Sequence, residues 1–411
     1  MNPENFIPSN ETVPDKEVED SVDSGEIEVA QDEENNPILD RILRNIEGKN
    51  AYDALVDMKR EDLTSLLLYV AEARANKLST PDIFRQYKND RFVQPSSVSQ
   101  EDFVSFDKIA TDYLSDSVDF VELSPVAVQG ANSVLSPISQ RKVISTIRNT
   151  EVMADTVTTL AIECAKRRSA GEDMSYLATS HREIRAQKFD EASGLLPHFR
   201  GLSLVSSEKM GYENEGKVSE VLEKHISFYL EIMKRAQDSG LVSAENVTVR
   251  VSSLRLLDIL IRESGIDRNF LMENTQHWTR SLFDECGIDL PGKVGFGEDL
   301  PLDNFSDHKL GRVVEYMARI INPVFEKLTR DYPGINFEFD FERIEGLGYY
   351  EDLCIKIIGQ NEDGENISLA DGGFTDWTKK LLQDPKEKCF AGGFGSELFL
   401  SKFKKQNNVN N

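Results

Sequence analysis

Three segments decide the fold: Glu345-Gly-Leu-Gly-Tyr-Tyr350, Asp371-Gly-Gly-Phe-Thr-Asp-Trp377 and Gly392-Gly-Phe-Gly-Ser-Glu397. Between them lie short apolar runs with strand character, Leu353 to Ile358 and Ile367 to Ala370. Glycine inside or beside a strand marks a place where something approaches the backbone closely. Three such places on consecutive strands point to a sheet with a small molecule lying on it. Turns are the alternative at each one, and Asp371-Gly372 alone predicts a hairpin turn.

Upstream, Arg182-Glu-Ile-Arg-Ala-Gln-Lys-Phe189 and His198-Phe-Arg-Gly-Leu-Ser-Leu-Val205 read as two strands joined by a loop. Arg182 and Phe199 are expected to present a cation and a ring from adjacent strands. A guanidinium matches phosphate oxygens, and a ring stacks on a base. The alternative is a surface hairpin with solvated arginines. Glu151 precedes a helix starting near Asp155 and is a carboxylate suited either to an ammonium group or to a helix start. Gly392-Gly-Phe-Gly395 leads into a helix whose free N–H groups suit phosphate. It is neither a Walker loop nor a G-x-G-x-x-G match.

The rest of the 411 residues places these segments. Residues 1–37 hold twelve Asp/Glu against one Lys, a local charge of −11 within a total of −25. Few large apolar residues occur there, which predicts a disordered acidic tail. Apolar spacing at threes and fours from Ile38 predicts a helical region over 38–95. A third region, 100–405, opens with a helix from Asp102 to Tyr113. It continues with a strand from Val118 to Val128 interrupted at Pro125, a helix from Asp155, the hairpin, a long helix from Glu215 and a strand Val247 to Val251. A helix-rich section, 268–333, precedes the closing strands. Helices and strands come in groups, which argues for an α+β antiparallel sheet flanked by helices, with a small N-terminal helical region. The acidic balance disfavours non-specific binding to nucleic acid or anionic lipid. Cys164, Cys286, Cys354 and Cys389 stand far apart, so buried thiols are expected rather than a metal site or disulfides. No apolar run reaches membrane-spanning length, and a cytoplasmic location is the expectation.

In this order the segments resemble the catalytic core of class II aminoacyl-tRNA synthetases, and within them the histidyl-tRNA synthetase group, over roughly residues 100–403. Asp119-Phe-Val-Glu-Leu-Ser-Pro125 is similar to motif 1, which supports a dimer interface. His181-Arg-Glu-Ile-Arg-Ala-Gln187 and Pro197-His-Phe199 stand where motif 2 has Phe-Arg-x-Glu-Arg-x-Gln and Arg-Gln-Phe. Arg148-Asn-Thr-Glu151 looks like the Leu-Arg-Pro-Glu segment. Glu345-Gly-Leu-Gly-Tyr-Tyr350 resembles the histidyl hallmark Arg-Gly-Leu-Asp-Tyr-Tyr. Gly372-Gly-Phe-Thr-Asp376 resembles Gly-Gly-Arg-Tyr-Asp, and Gly393-Phe-Gly-Ser-Glu-Leu398 resembles motif 3.

The resemblance implies roles by position. Arg182 is the catalytic residue and binds the α-phosphate of ATP or an adenylate. Arg185, Gln187, Phe199, Gly393 and Gly395 complete the nucleotide site, with Phe199 stacking on adenine. Glu151 takes the amino group of an amino acid, and Tyr349, Tyr350, Gly372 and Gly373 line its pocket. ATP with Mg2+ is the implied cofactor, and no protein-bound metal is expected. A homodimer, an amino acid as small-molecule partner and a regulated protein partner are also implied, while tRNA as acceptor is left open. Three cationic positions of the family are changed, to Glu345, Leu398 and Pro197, and the motif 2 Glu falls on Ile184. Preorganised cations stabilise the charge that builds on phosphorus during activation. The expected function is therefore a synthetase-like protein that binds ATP or an adenylate and an amino acid, with activation chemistry altered or lost. The alternative is a stand-alone ligase that adenylates a carboxylate and passes it to a tRNA or another acceptor.

Overall fold

The computed structural model describes residues 50–114, 118–187, 195–210, 214–275, 278–288, 291–300 and 309–405. The acidic segment 1–37 and the periodicity from Ile38 to Ile46 lie outside the described residues. The chain falls into two units, Met1–Ser65 and Leu66–Asn411. In the first, a helix Asn50–Val56 precedes the start of α1, Arg60–Ala75. Helix α2, Thr80–Asn89, begins with a reciprocal capping box between Ser79 and Asp82 and has Pro81 in its first turn. Neither α1 nor α2 buries a side chain.

The second unit is built on a nine-stranded sheet in the order β1-β4-β5-β11-β10-β9-β6-β8-β7. In chain order its strands are β1 (Asp119–Phe120), β4 (Met174–Ile184), β5 (His198–Lys209), β6 (Glu245–Ser253), β7 (Lys293–Gly295), β8 (Asn336–Asp340), β9 (Leu353–Gln360), β10 (Asn366–Thr375) and β11 (Glu387–Phe394). A separate ribbon pairs β2 (Val126–Val128) with β3 (Thr150–Val152). The mixed α+β architecture is as expected, with two parallel pairs, β1–β4 and β6–β8, in an otherwise antiparallel sheet. The run from Val118 is split at Pro125 into β1 and β2, since proline removes a ladder donor.

One face, the back, carries α3 (Gln100–Leu114), α5 (Glu215–Asp238), α6 (Leu254–Ser264), α7 (Lys309–Asp331) and α9 (Ser396–Lys402). Helix α5 shows why. Leu222, Ile226, Tyr229 and Met233 recur at threes and fours, and all are buried. Phe106 of α3 and Tyr229 of α5 stack on Phe394 of β11 at 5.9 and 6.1 Å. Each such side chain contributes about 1.5–3 kcal/mol by leaving water, so this face is the main core.

The other face, the front, is covered at one end only. Helix α4 (Thr156–Ser169) and α8 (Trp377–Leu382) lay Val157, Leu160 and Trp377 on Leu177, Val205 and Ala391. Asp155 caps α4 by accepting from the Val157 N–H, and Arg168 in its last turn forms a buried ion pair with Glu387 at 2.8 Å. Cys164, Cys354 and Cys389 are buried free thiols, and Cys286 is partly buried. Among the described residues no helix is long and apolar enough to cross a membrane.

Candidate functional site

Strand parity sorts the expected site residues. Leu177 of β4 packs under α4 and Ala178 in the back core, so odd-numbered positions of β4 face the front. Glu183 is therefore a front residue and Arg182 a back one. Their partners on β5 follow: Glu183 is opposite Phe199, and Arg182 is opposite Arg200. The expected pairing of Arg182 with Phe199 is corrected by this register. Arg182 donates to His198 Nδ1 at 2.8 Å, pairs with Glu397 at 3.0 Å and lies 5.6 Å from the Phe103 ring. The cation that joins Phe199 is Arg185, with its guanidinium 5.3 Å from the ring centre.

Around Arg185 the front is acidic. Its guanidinium lies 3.7 Å from Asp155 and 3.5 Å from Glu183, and its Nε donates to the Ala154 carbonyl. Glu183 also accepts from the Thr156 N–H and hydroxyl at 3.0 and 2.6 Å. Burial, reinforced by the neighbouring Asp155, pushes its carboxyl up to about 7 despite these partners. Tyr349 donates its hydroxyl to Asp155 at 2.8 Å and stands edge-on to Trp377. Gln187 is half-buried past the end of β4, at the edge of the described residues.

Tyr350 donates to Asp371 at 2.6 Å. Asp371 also receives both oxygens' worth of Arg343, at 2.9 and 2.6 Å, and Arg343 further donates to the carbonyls of Glu345 and Ile355. The glycines are explained by these rings. A Cβ on Gly373 would lie 2.7 Å from the Tyr350 ring and from Cys354, and one on Gly346 would lie 2.5 Å from the same ring. A Cβ on Gly372 would meet the backbone of Gly392 and the Phe390 ring. The approach that the glycines signal is made, in this structure, by side chains of the chain itself.

Glu151 is wholly buried beside the β2–β3 ribbon. It accepts from the N–H groups of Gly130 and Asn132, the Asn132 side chain and Gln140, at 2.6–3.2 Å. Burial raises its carboxyl, but these donors outweigh that and hold it below the ordinary range. It clamps the turn that follows β2 and stands apart from the Asp155–Glu183–Arg185 group in its bonding. Gly393 is paired within the sheet with Asp371 and Ser203, and the Gly395 N–H donates to the Leu369 carbonyl. Those backbone groups, expected to face phosphate, are committed to the fold.

The structure thus brings together Arg185, Phe199, Tyr349, Tyr350 and Gly373 on the front. It adds Asp155, Glu183, Arg343 and Asp371, and it leaves Arg182 and Gly372 on the other face. The added residues were visible as charged positions flanking the motifs, but their direction depends on strand parity. An adenine ring fits the Arg185–Phe199 platform chemically. The phosphates of ATP find each front arginine of this group already paired with a carboxylate. Among the described residues no three metal-ligating side chains converge.

No family model matches the sequence, and no curated protein matches it. Solved structures do. One is titled an ATP phosphoribosyltransferase regulatory subunit/histidyl-tRNA synthetase from Bacillus halodurans, with 16% identity over 76% of this chain and 83% of that one, at a TM-score of 0.56. Another is a histidine–tRNA ligase subunit from Alicyclobacillus acidocaldarius, with 15% identity over 75% of this chain and 96% of that one, at a TM-score of 0.54. At such identities the likeness is one of architecture, and the described residues form a class II aminoacyl-tRNA synthetase-like core.

Proposed function

We propose that the protein is a synthetase-fold binding protein that takes an amino acid and a nucleotide on the front of its sheet, with activation chemistry altered or lost. One observation carries this reading: the front arginines around the motif 2 hairpin and the tyrosine pair are each held by the chain's own carboxylates. Arg185 lies between Asp155 and Glu183, and Arg343 contacts both oxygens of Asp371 through its Nη2. Activation of a carboxylate needs cations aimed at the charge that develops on phosphorus, and one such donor is worth about 2.7–4 kcal/mol. Arginines already neutralised supply little of that. The same carboxylates favour an ammonium group, the part of an amino acid that every member of the class shares.

Arg185 and Phe199 serve as the adenine end, and Asp155, Asp371 and the tyrosine pair as the amino-acid end. Mg2+ comes, if at all, with the nucleotide. The Bacillus halodurans protein is titled as a regulatory subunit as well as a synthetase, and a regulatory role toward a protein partner is the reading in keeping with lost chemistry. A homodimer formed through α3 and the motif 1 strand, and a cytoplasmic location, belong to the same proposal.

Calorimetry with ATP and with each of the twenty amino acids tests it, followed by amino-acid-dependent pyrophosphate exchange. The expected result is binding without exchange. Arg185→Ala weakens nucleotide binding by about tenfold, as expected for a lost charged contact, while Arg182→Ala leaves it unchanged. Exchange with any amino acid favours the ligase alternative, and absence of binding to either ligand class overturns the site.

A further inference from the structure

Beyond the tyrosine pair the front of the sheet opens into a cleft of about 510 Å³, a size typical of small-molecule sites. Its floor is made by β6, β9 and β10, and its walls by the chain around Trp278 to Ser281 and around Asp340 to Glu345. Five cationic side chains line it: Arg250, Arg280, Lys293, Arg343 and Lys356. Three carboxylates, those of Asp340, Glu342 and Glu345, oppose them. Cations thus outnumber carboxylates in the lining itself, while Glu338, Glu285 and Asp371 outside it pair with Arg250, Arg280 and Arg343.

Not all of this charge is used internally. Arg343 belongs to Asp371, Lys356 lies 3.0 Å from Glu345, and Arg250 lies 2.9 Å from Glu338. Lys293 makes no ion pair among the described residues and stands opposite Asp340 in the β7–β8 register. Burial pushes the Asp340 carboxyl up, and the fields of Lys293, Arg250 and Arg343 pull the other way. Glu342 is occupied as acceptor from the Ser281 hydroxyl.

A second observation points to an occupant. The indole Nε1 of Trp278 is buried and has no hydrogen-bond partner. Arg280 lies 4.5 Å over the same ring and pairs with Glu285 at 2.7 Å, which fixes the indole in the cleft wall. Buried donors are nearly always satisfied, and an unpartnered one in a cleft-lining residue marks a place where an acceptor is missing.

We propose that this cleft binds a small oxyanion, the carboxylate or phosphate group of a metabolite, centred on Lys293, with Arg250 and Lys356 shared between it and their own carboxylates Glu338 and Glu345. The strongly acidic chain disfavours a polyanion such as nucleic acid, whose field extends well beyond a cleft of this size. The proposal does not depend on the amino-acid and nucleotide reading, since its anion contacts use none of Arg185, Phe199 or the tyrosine pair.

The full chain is titrated with inorganic phosphate and, separately, with succinate, at ionic strength held constant with sodium chloride. Tryptophan emission and calorimetry are followed together. The chain has two tryptophans, and Trp377 is buried at the start of α8 against α4 and the sheet, so the response reports Trp278. Saturable binding of at least one anion is expected, and which one saturates separates a phosphate ligand from a carboxylate. The Lys293→Gln/Lys356→Gln variant weakens it by about tenfold or more. Trp278→Phe removes the optical change while heat of binding persists. A response no different from sodium chloride, or unchanged affinity in the double lysine variant, overturns the cleft. Either result with ATP and amino-acid binding intact leaves the other reading standing.

Discussion

Over β4, β5 and β11 the front of the sheet is roofed by α4 and α8, and its charges are closed on one another. Over β6, β9 and β10 the same face is open, and lysine and arginine outnumber carboxylates in the lining of the cleft itself. The two halves meet at one row of residues, where Lys356 of β9 stands opposite Asp371 of β10. On one side of that row Asp371 is taken by Arg343 and Tyr350, and on the other Lys356 turns to Glu345. The difference teaches that the front of the sheet is divided. In one half the chain's own rings and ion pairs fill the surface, and the other keeps open space with Lys293 outside any ion pair among the described residues. If that division is correct, substitutions in the closed half act on stability, and those in the open half act on binding.

The largest effect expected is at Asp371. Arg343 is almost completely buried, with 2% of its side chain exposed, while Asp371 is 38% exposed. Removing the carboxylate leaves the guanidinium buried without its counter-charge, and two carbonyls cannot replace it. Asp371→Ala is expected to cost about 3 kcal/mol, the low end for a broken buried pair because water reaches the carboxylate. Arg343→Met removes both the charge and its desolvation and is expected to cost less. Urea unfolding of the two variants checks the order. If Asp371→Ala loses less than Arg343→Met, the pair is not closed and the division between the halves fails.

Two front-facing glycines beside the tyrosine pair give the next contrast. Gly373 and Gly393 lie on neighbouring paired strands, yet a Cβ on Gly393 would come no nearer than 3.9 Å to anything outside its chain neighbours, the Ser203 hydroxyl, whereas one on Gly373 meets Tyr350 and Cys354 at 2.7 Å. Gly373→Ala is expected to destabilise by about 2 kcal/mol through overpacking, and Gly393→Ala by less than about 0.5 kcal/mol. Thermal unfolding of both variants measures the contrast. Equal melting temperatures mean that Tyr350 moves aside freely, and the closed half is then an available pocket.

How much of this was legible follows from particular residues. Helix α5 and the glycine strands could be read because periodicity and missing side chains are local properties. The motif 2 hairpin was legible as a hairpin, but not by face. Tyr176, Leu177 and Ala178 are all apolar, so nothing in the run says which parity meets α4, and a one-residue choice moves Arg182 and Glu183 to opposite sides. The glycines announced a close approach without saying by what, because the ring that fills the space comes from Tyr350 through a tertiary turn. Trp278 lies in a stretch without clear periodicity, and its unpaired N–H is a fact of packing alone. Glu151 was read as a ligand or a helix-start residue, and its four donors come from a turn some twenty residues upstream and from Gln140.

The smallest effect expected is a pH dependence seated in the closed half. In the folded chain the Glu183 carboxyl is raised to about 7 by burial and by Asp155, against 4.5 as its ordinary value. Between these two values the folded state binds more protons than the unfolded state, so its contribution to stability is fully present below 4.5 and is lost as pH rises through about 7. Glu183→Gln has no such proton to lose. At pH 5 the carboxyl that the amide replaces is itself neutral and forms no ion pair with Arg185, so the variant starts close to the parent, and it then gains on the parent as pH rises to 8, by on the order of 1–2 kcal/mol. Denaturant midpoints for both proteins across that range give the difference directly. A gap that stays constant with pH means that Glu183 is ionised throughout and that Arg185 fully neutralises it. A gap that opens in the variant's favour means that the carboxylate, not the guanidinium, is the uncompensated partner of this group, which favours an incoming ammonium over a phosphate on this half of the face.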